Sequence, residues 1–372
     1  MEKSFHAGEF FHAIGNDFST LERSAEIINA DVLDAWFDPS PKVIKKIQHY
    51  LPFILRTSPP NYSEGLIRTI SDVRGIPEDH LISAEGSSEL IFTFFQNMVS
   101  KKEKVLILDP MYGEYAHVLH HLCDAEVVLH MLKKENEFQI EPDLLLEDIR
   151  TFKPGVVVLV NPNSPTGKYL PKDQMLSLVK SISQDTTVII DETYIEYAGS
   201  EHSLEKYIAE FENMVIIKSM SKVYALSGAR VGYLAARKDI INRLSVFIPP
   251  WAVSLFGQIA GVEALKDQQY YDEKYTLTHL LRQEVYRELS QRRNLRVNDS
   301  IANFYLLELL DPTINAEMVR AALQKDSIYI RNPDSMSTQF GGRFLRIAIK
   351  NKDSNEKIIA ALKKIVGGNE GQ

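Results

Sequence analysis

The stretch IIKSMSKVYALSGARVGYLAA sets one lysine, Lys222, among hydroxyls and a second cation: Ser219 and Ser221 precede it and Arg230 follows eight residues on. A lysine amine in that company suits a phosphorylated aldehyde. The amine condenses with the carbonyl as a Schiff base, while Ser219 and Arg230 hold the phosphate, the arginine through charge-assisted hydrogen bonds. Upstream, the run TVIIDE ends on Asp191. An acid there would keep a pyridine nitrogen protonated, and that proton makes pyridoxal phosphate an electron sink for a carbanion. A fainter signal is ISAEGSSEL, where Gly86, Ser87 and Ser88 precede an amphipathic helix whose periodicity starts near Glu89. Backbone N–H groups at a helix start bind phosphate, although a serine there also serves as a plain N-cap.

These residues need a scaffold that gathers them. The middle third repeats one pattern: a short β-branched run without polar alternation, a polar corner, then an amphipathic stretch. The runs are VLILD (105–109), VVVLVN (156–161), TVIIDE (187–192), NMVIIKS (213–219) and VGYLAA (231–236). Strands apolar on both faces belong in a sheet covered by helices on both sides, and helical connections make it mainly parallel. Ligands of such sheets lie beyond the carboxyl ends of the strands. The residues there are Asp109, Asn161, Asp191 and Ser219, with Tyr112, Thr166, Tyr194 and Lys222 close behind. Each alone has an ordinary structural explanation; their gathering at one sheet edge is the signal.

Residues 268–293 read as one long charged helix leaving the sheet domain. A strand (Phe304–Leu309), a helix (Ala316–Gln324), strands around Ile328–Arg331 and Phe344–Ile349, and a helix from Ser354 then suggest a smaller α+β domain. The expected division is an N-terminal arm and part of the small domain in 1–44, a large domain in 45–255, and the linking helix with the small domain in 256–372. In DPSPKVIKKIQHYL a proline stands near the start of a helix, and GGNEGQ reads as a loose tail.

The 372 residues are enough for about two domains, and 44% hydrophobic with 25% charged residues excludes wholesale disorder. Fifty acidic against 42 basic residues, net charge −8, with no basic block, disfavours a nucleic-acid partner. The single cysteine, Cys123, excludes an internal disulfide framework and a cysteine-ligated metal centre. The N-terminal MEKSFHAGEFFHAIGNDF carries acids and histidines where a signal peptide is apolar, and no apolar run reaches the ~18 residues of a membrane span. The expectation is a cytoplasmic protein with no membrane partner.

NPNSPTG (161–167), DETYIEY (191–197), SMSKVYALSGARVGY (219–233) and FLRIAI (344–349) resemble, in order and spacing, the signatures of fold type I pyridoxal-phosphate enzymes. The pattern is similar to class I/II aminotransferases, above all those acting on histidinol phosphate, over nearly the whole chain. The resemblance implies pyridoxal 5'-phosphate on Lys222, which also moves the proton of the external aldimine. It implies Asp191 at the pyridinium nitrogen, Tyr194 at the ring 3'-oxygen and Tyr112 stacked on the ring. Gly86, Ser87, Ser88, Ser219, Ser221 and Arg230 would form the phosphate cup, and Arg346 would grip the substrate carboxylate. Tyr62, in SPPNYSEGL, would reach the neighbouring subunit's cofactor in a homodimer with shared sites. Two departures stand out. Ser164 occupies the place of the asparagine that bonds the 3'-oxygen, leaving the serine, Asn161 or Asn163 to take that task. LDAWFDPSP replaces the family's N-terminal pocket strand, bringing Trp36, Phe37 and Asp38 to the substrate.

An amino-acid substrate and transamination are the first expectation. The alternative is a lyase or cyclase resembling capreomycidine synthase. It draws on the arm FHAGEFFHAIGNDF, where His6, Glu9 and His12 stand among aromatics, with Glu9 as a second acid or base or as partner of a cationic substrate end. Arg331, in SIYIRNPD, favours an anionic substrate end instead. A domain serving as an effector-binding module of a transcription factor would follow a DNA-binding helix-turn-helix, which is not expected in this acidic chain. A metal at His117, His120 and His121 lacks acidic or thiol ligands, so no metal is expected.

Overall fold

Twelve strands carry the framework: β1 (Ile28–Ala30), β2 (Leu81–Ala84), β3 (Lys104–Asp109), β4 (Glu126–Met131), β5 (Val156–Val160), β6 (Thr187–Asp191), β7 (Met214–Ser219), β8 (Gly232–Ala236), β9 (Leu295–Asn298), β10 (Phe304–Leu309), β11 (Ile328–Ile330) and β12 (Phe344–Ala348). They belong to a computed structural model that describes residues 8–15 and 17–367. His6 and the tail residues 368–372 lie outside the described residues.

All five apolar runs enter one seven-stranded sheet of order β2-β8-β7-β6-β5-β3-β4. β3 to β7 are mutually parallel where they pair, and β8 runs antiparallel to both β7 and β2. Every residue of β5, β7 and β8 is buried. That is why these runs show no polar alternation: both faces lie under helices. Two members escape the pattern. β2 is only four residues long, and β4 is an edge strand with exposed positions.

The chain's two ends meet in the smaller layer. β1 pairs in parallel with β11, aligning Asn29 with Tyr329, and β12-β10-β9 form an antiparallel sheet. The observed helices Gln268–Ser290 and Ala316–Gln324 and the strand Phe304–Leu309 keep the expected bounds to within three residues. The first of these helices spans both layers, while Pro41–Arg56, opened by the Ser40 cap and Pro41, packs on Leu255–Leu265. Among the described residues no helix is long and apolar enough to cross a membrane.

Candidate active site

Strand register assembles the anion cup. Ser219 at the end of β7 faces Gly232, which in turn faces Ala84 at the end of β2, so the turn after β2 lies beside Ser219. In that turn Gly86 has φ +80°, and a Cβ on it would stand 2.6 Å from Arg230 Nη2. A Cβ on Gly232 would meet Gly86 C and Ser87 N at 2.7 Å. The backbone of 86–87 is thus pressed against β8 with the first turn of the Gly86–Met98 helix beginning there, and free N–H groups at such a start point outward. Arg230 donates to the carbonyls of Ser227 (3.2 Å) and Glu85 (3.5 Å), arching over the turn. The Ser221 N–H donates to Ser219 Oγ at 3.3 Å. Ser88 departs from its expected role: its hydroxyl donates to buried Glu114 Oε2 at 3.1 Å, which makes it a brace rather than part of the cup.

Asp191 ends β6 in full burial. Its Oδ1 accepts from the Thr193 N–H (2.9 Å) and hydroxyl (2.6 Å), and Oδ2 accepts from the Tyr115 hydroxyl at 2.8 Å. A carboxylate offers about four lone-pair sites, so one is left for a further donor. Burial raises its pKa above the ordinary carboxylate range despite these donors, and a cationic N–H is the partner that would relieve that penalty. Tyr194 packs edge-on against Phe304 (5.3 Å between centroids) and shares a hydrogen bond with Ser164; burial lifts its phenol far above the usual range. Tyr112 is fixed by Glu114 and lies edge-on to Tyr115 at 6.4 Å.

Lys222 sits on the loop after β7, whose backbone is held by three phenols. Tyr197, Tyr275 and Tyr271 donate to the carbonyls of Lys222 (3.1 Å), Val223 (2.9 Å) and Tyr224 (3.2 Å) in succession. The Lys222 amine donates to Asp34 Oδ1 at 2.7 Å. Across the site, Arg346 is buried. Its Nη1 donates to Ser164 Oγ at 3.3 Å, Nη2 to the Asp31 carbonyl at 3.0 Å, and Nε has no hydrogen-bond partner. Burial, with Arg331 nearby, lowers its pKa to about 10. The backbones of Arg331 and Arg346 exchange hydrogen bonds as an isolated antiparallel bridge, so the two guanidiniums come from neighbouring positions.

Several expected residues are otherwise engaged. Asn161 spends its whole amide on Leu170, donating to its carbonyl and accepting its N–H, and Asn163 donates to the Pro110 carbonyl and Thr166. Of the three candidates for the missing asparagine, Ser164 alone meets Tyr194. Trp36 and Phe37 turn to the long helix: the indole N–H donates to Thr278, and Phe37 is buried among Tyr270, Tyr271 and Tyr275. Apolar burial on that helix outweighs exposure in a polar pocket. Glu9 pairs with Arg320 and accepts from Gln324 at 2.8 Å, both on the Ala316–Gln324 helix, and lines one pocket with Asp31 and Arg331; the arm thus lies beside Arg331 with its carboxylate already paired. Tyr62 is 60% exposed on this chain. Among the described residues no histidine, cysteine and carboxylate group forms a metal cluster, His117, His120 and His121 included.

The cup, the amine and the acid with one acceptor site open fit a phosphorylated pyridine aldehyde, and solved structures of related chains share the fold. Residues 31–362, most of the chain, match the aminotransferase class I and II family. The chain belongs to that family. A histidinol-phosphate aminotransferase of Methanococcus aeolicus is 27% identical over 92% of this chain and 90% of its own length. The histidinol-phosphate aminotransferase of Sinorhizobium meliloti, solved with pyridoxal-5'-phosphate, superposes with a TM-score of 0.83 at 18% identity, covering 99% of this chain and 98% of its own. An L-threonine-O-3-phosphate decarboxylase from Porphyromonas gingivalis superposes with a TM-score of 0.77 at 22% identity, covering 92% and 100%. The family fold is therefore shared across reactions, and the site must decide the chemistry.

Within this family member, Asp34, Glu114, Tyr115 and the three phenols around the lysine loop went unread in the sequence. Tyr115 lies in DPMYGEY beside Tyr112, and the strand-end rule could have extended to it. The cup yields a direct test. Gly86→Ala puts a methyl group where Arg230 lies and strains a positive φ by about 1–2 kcal/mol. The expected result is at least a ~10-fold loss of cofactor affinity in equilibrium dialysis, the affinity equivalent of about 1.4 kcal/mol, with unchanged circular dichroism.

Proposed function

We propose that this protein carries pyridoxal 5'-phosphate on Lys222 and transaminates an L-α-amino acid with an anionic group held by Arg346 and Arg331. The carrying observation is Arg346: a buried guanidinium with an unpartnered Nε and no carboxylate within ion-pair distance among the described residues. A buried cation left this way is costly unless an anion arrives, and a planar fork suits a carboxylate or phosphate. When bound, the cofactor supplies the electron sink for the bond broken at Cα.

The chain's residues do the rest. Asp191 holds the ring nitrogen's proton, Tyr194 and Ser164 address the ring oxygen, Tyr112 covers the ring, and Gly86, Ser87, Ser219, Ser221 and Arg230 hold the phosphate. Arg346 orients the substrate so that its Cα–H faces Lys222. The Lys222 amine would take that proton and return it to the carbon that was the cofactor's aldehyde, on the far side of the shared nitrogen, a transfer that gives a keto acid after hydrolysis. A homodimer with shared sites is supported by exposed apolar residues near Tyr62: Trp251, whose N–H donates to the Asn61 carbonyl at 2.8 Å, with Val246 and Phe247. The cyclase alternative needs a cationic substrate end at Glu9, and with Glu9 paired to Arg320 and beside Arg331 the charge around it favours an anion instead.

The test is single turnover of the yellow protein with a panel of amino acids, followed by mass spectrometry. A keto acid with the cofactor left as its amine supports the proposal. Release of carbon dioxide or of a side-chain group, with the aldehyde form restored, overturns it. Arg346→Ala should raise KM for the reacting amino acid about 10- to 100-fold, the value of one or two charged hydrogen bonds, with the cofactor's absorbance unchanged.

A further inference from the structure

Asp34 reaches the lysine from the other layer of the molecule. It lies between β1 and the Pro41–Arg56 helix, and its segment is pinned to the small sheet by Asn303, which donates to the Leu33 carbonyl at 3.0 Å, and by Lys350, whose amine is 3.5 Å from the Asp34 carbonyl oxygen. Its Oδ1 receives two donors at once: Lys222 Nζ at 2.7 Å and Ser227 Oγ at 2.6 Å. Ser227 in turn lies 3.1 Å from the Ser221 carbonyl. The carboxylate is therefore fixed in place from both sides of the cleft, aimed at the reacting nitrogen. The charged and titratable groups facing it are Lys222, Lys350 and the Tyr194 phenol. Burial pushes Asp34 up, yet the Lys222 ammonium, its hydrogen bonds and Lys350 more than offset this and hold it below the ordinary carboxylate range. It is an anion throughout the neutral range. Burial, with Lys222 nearby, pulls the Lys350 amine below the usual lysine range, although Asp34 opposes this.

We propose that Asp34 is the counter-ion of the Lys222 nitrogen and a further catalytic residue of this site, with Lys350 as an opposing charge that moderates it. A carboxylate in contact with that nitrogen stabilises its protonated form, both as the free ammonium and when it is bonded to the cofactor's aldehyde carbon. Protonation withdraws electrons from that carbon and prepares it for attack by the substrate amine. As the substrate amine bonds to that carbon, the lysine's bond to it breaks; the lysine nitrogen departs with the electron pair, keeps its proton and takes a second one from the attacking amine, and Asp34 accepts its hydrogen bond until the amine is called on as base. The inference rests on Lys222 being the residue that carries the cofactor.

The experiment is a spectrophotometric pH titration of the holoprotein, following the cofactor band as the lysine-bound nitrogen loses its proton, in wild type, Asp34→Asn, Asp34→Glu and Lys350→Met. Removing the anion should lower the midpoint by about one unit or more, the usual effect of an opposite charge within contact distance. Asp34→Glu should restore part of the shift, and Lys350→Met should move the midpoint upward. An unchanged midpoint in Asp34→Asn overturns the proposal, and if that variant does not fold, an unchanged or lowered midpoint in Lys350→Met does so. Borohydride reduction and peptide mass spectrometry of the wild type separately locate the cofactor. Attachment at another lysine would refute the reading of Lys222 itself, and a shift in pH midpoint would then have no bearing on it.

Discussion

Lys222→Ala should retain no covalently attached cofactor after borohydride reduction and should turn over its amino acid at least ~10⁴-fold more slowly than wild type. On the proposed reading two roles fall together in this substitution, the attachment of the cofactor and the transfer of the Cα proton, and among the described residues no second amine is placed to assume both. Lys350 comes nearest in charge, but its amine faces the backbone carbonyl of Asp34. The loss should not be one of folding. The loop's path is set by carbonyls bonded to Tyr197, Tyr271 and Tyr275, none of which involves the lysine side chain. Lys222→Arg sharpens the point: it keeps a cation against Asp34 and so preserves stability, yet cannot form the Schiff base. Equal loss of turnover in both variants, with near-native melting for the arginine form, is the expected pattern. A Lys222→Ala protein with more than about 1% of wild-type turnover would refute the assignment, since that exceeds what general catalysis by other groups supplies.

What the sequence disclosed about this site follows from where information is local. Asp191, Ser219 and Lys222 terminate apolar runs or sit one turn beyond them, so one short window contains both the strand and its functional end. β5, β6 and β7 were legible for the same reason. Asp34 was not, because its importance depends on the pairing of β1 with β11, some 300 residues apart in sequence, and on Asn303 and Lys350. Trp36 and Phe37 differ from expectation for a related reason: two aromatics beside a departure from the family's motif suggest a pocket, but their partners on the long helix are visible only after packing. That helix was read as a charged linker. Its tyrosines at 271 and 275, one turn apart, reach back to the lysine loop, a role no periodicity marks. The buried charges under the sheet are similarly concealed. Lys218 and Arg74 meet Glu192, Glu196 and Glu205, all beneath the surface. Glu192, raised to about 7 by burial against the pull of Lys218, directly follows Asp191 one residue past the end of β6, and its partners are Ser203, Leu204 and Lys218 rather than Thr193 and Tyr115. Two consecutive carboxylates thus enter different surroundings, one closed by its own ion pair and one with an acceptor site left open.

Asp191→Asn tests that separation. The buried carboxylate is held by Thr193 and Tyr115 and has room for one more donor; an asparagine can keep its carbonyl on Thr193 and turn its amide toward the Tyr115 oxygen. What it cannot do is stabilise a protonated ring nitrogen. Losing one member of a desolvated charge pair costs 2–5 kcal/mol, so kcat should fall by about 10³-fold, with the cofactor still attached to Lys222. Stability should move the other way. Because burial raises the folded-state pKa of Asp191, ionising it destabilises the cofactor-free protein as pH rises through that value, and below the ordinary carboxylate range both states are protonated and the penalty vanishes. The asparagine variant lacks this penalty. Stripped of cofactor, it should melt at or above the wild-type temperature at neutral pH, the difference closing at acid pH. A variant that melts lower at neutral pH and is equally slow would make Asp191 a structural strut. A variant that is stable, loaded and slow places the negative charge itself, rather than the hydrogen bonds around it, at the centre of the chemistry.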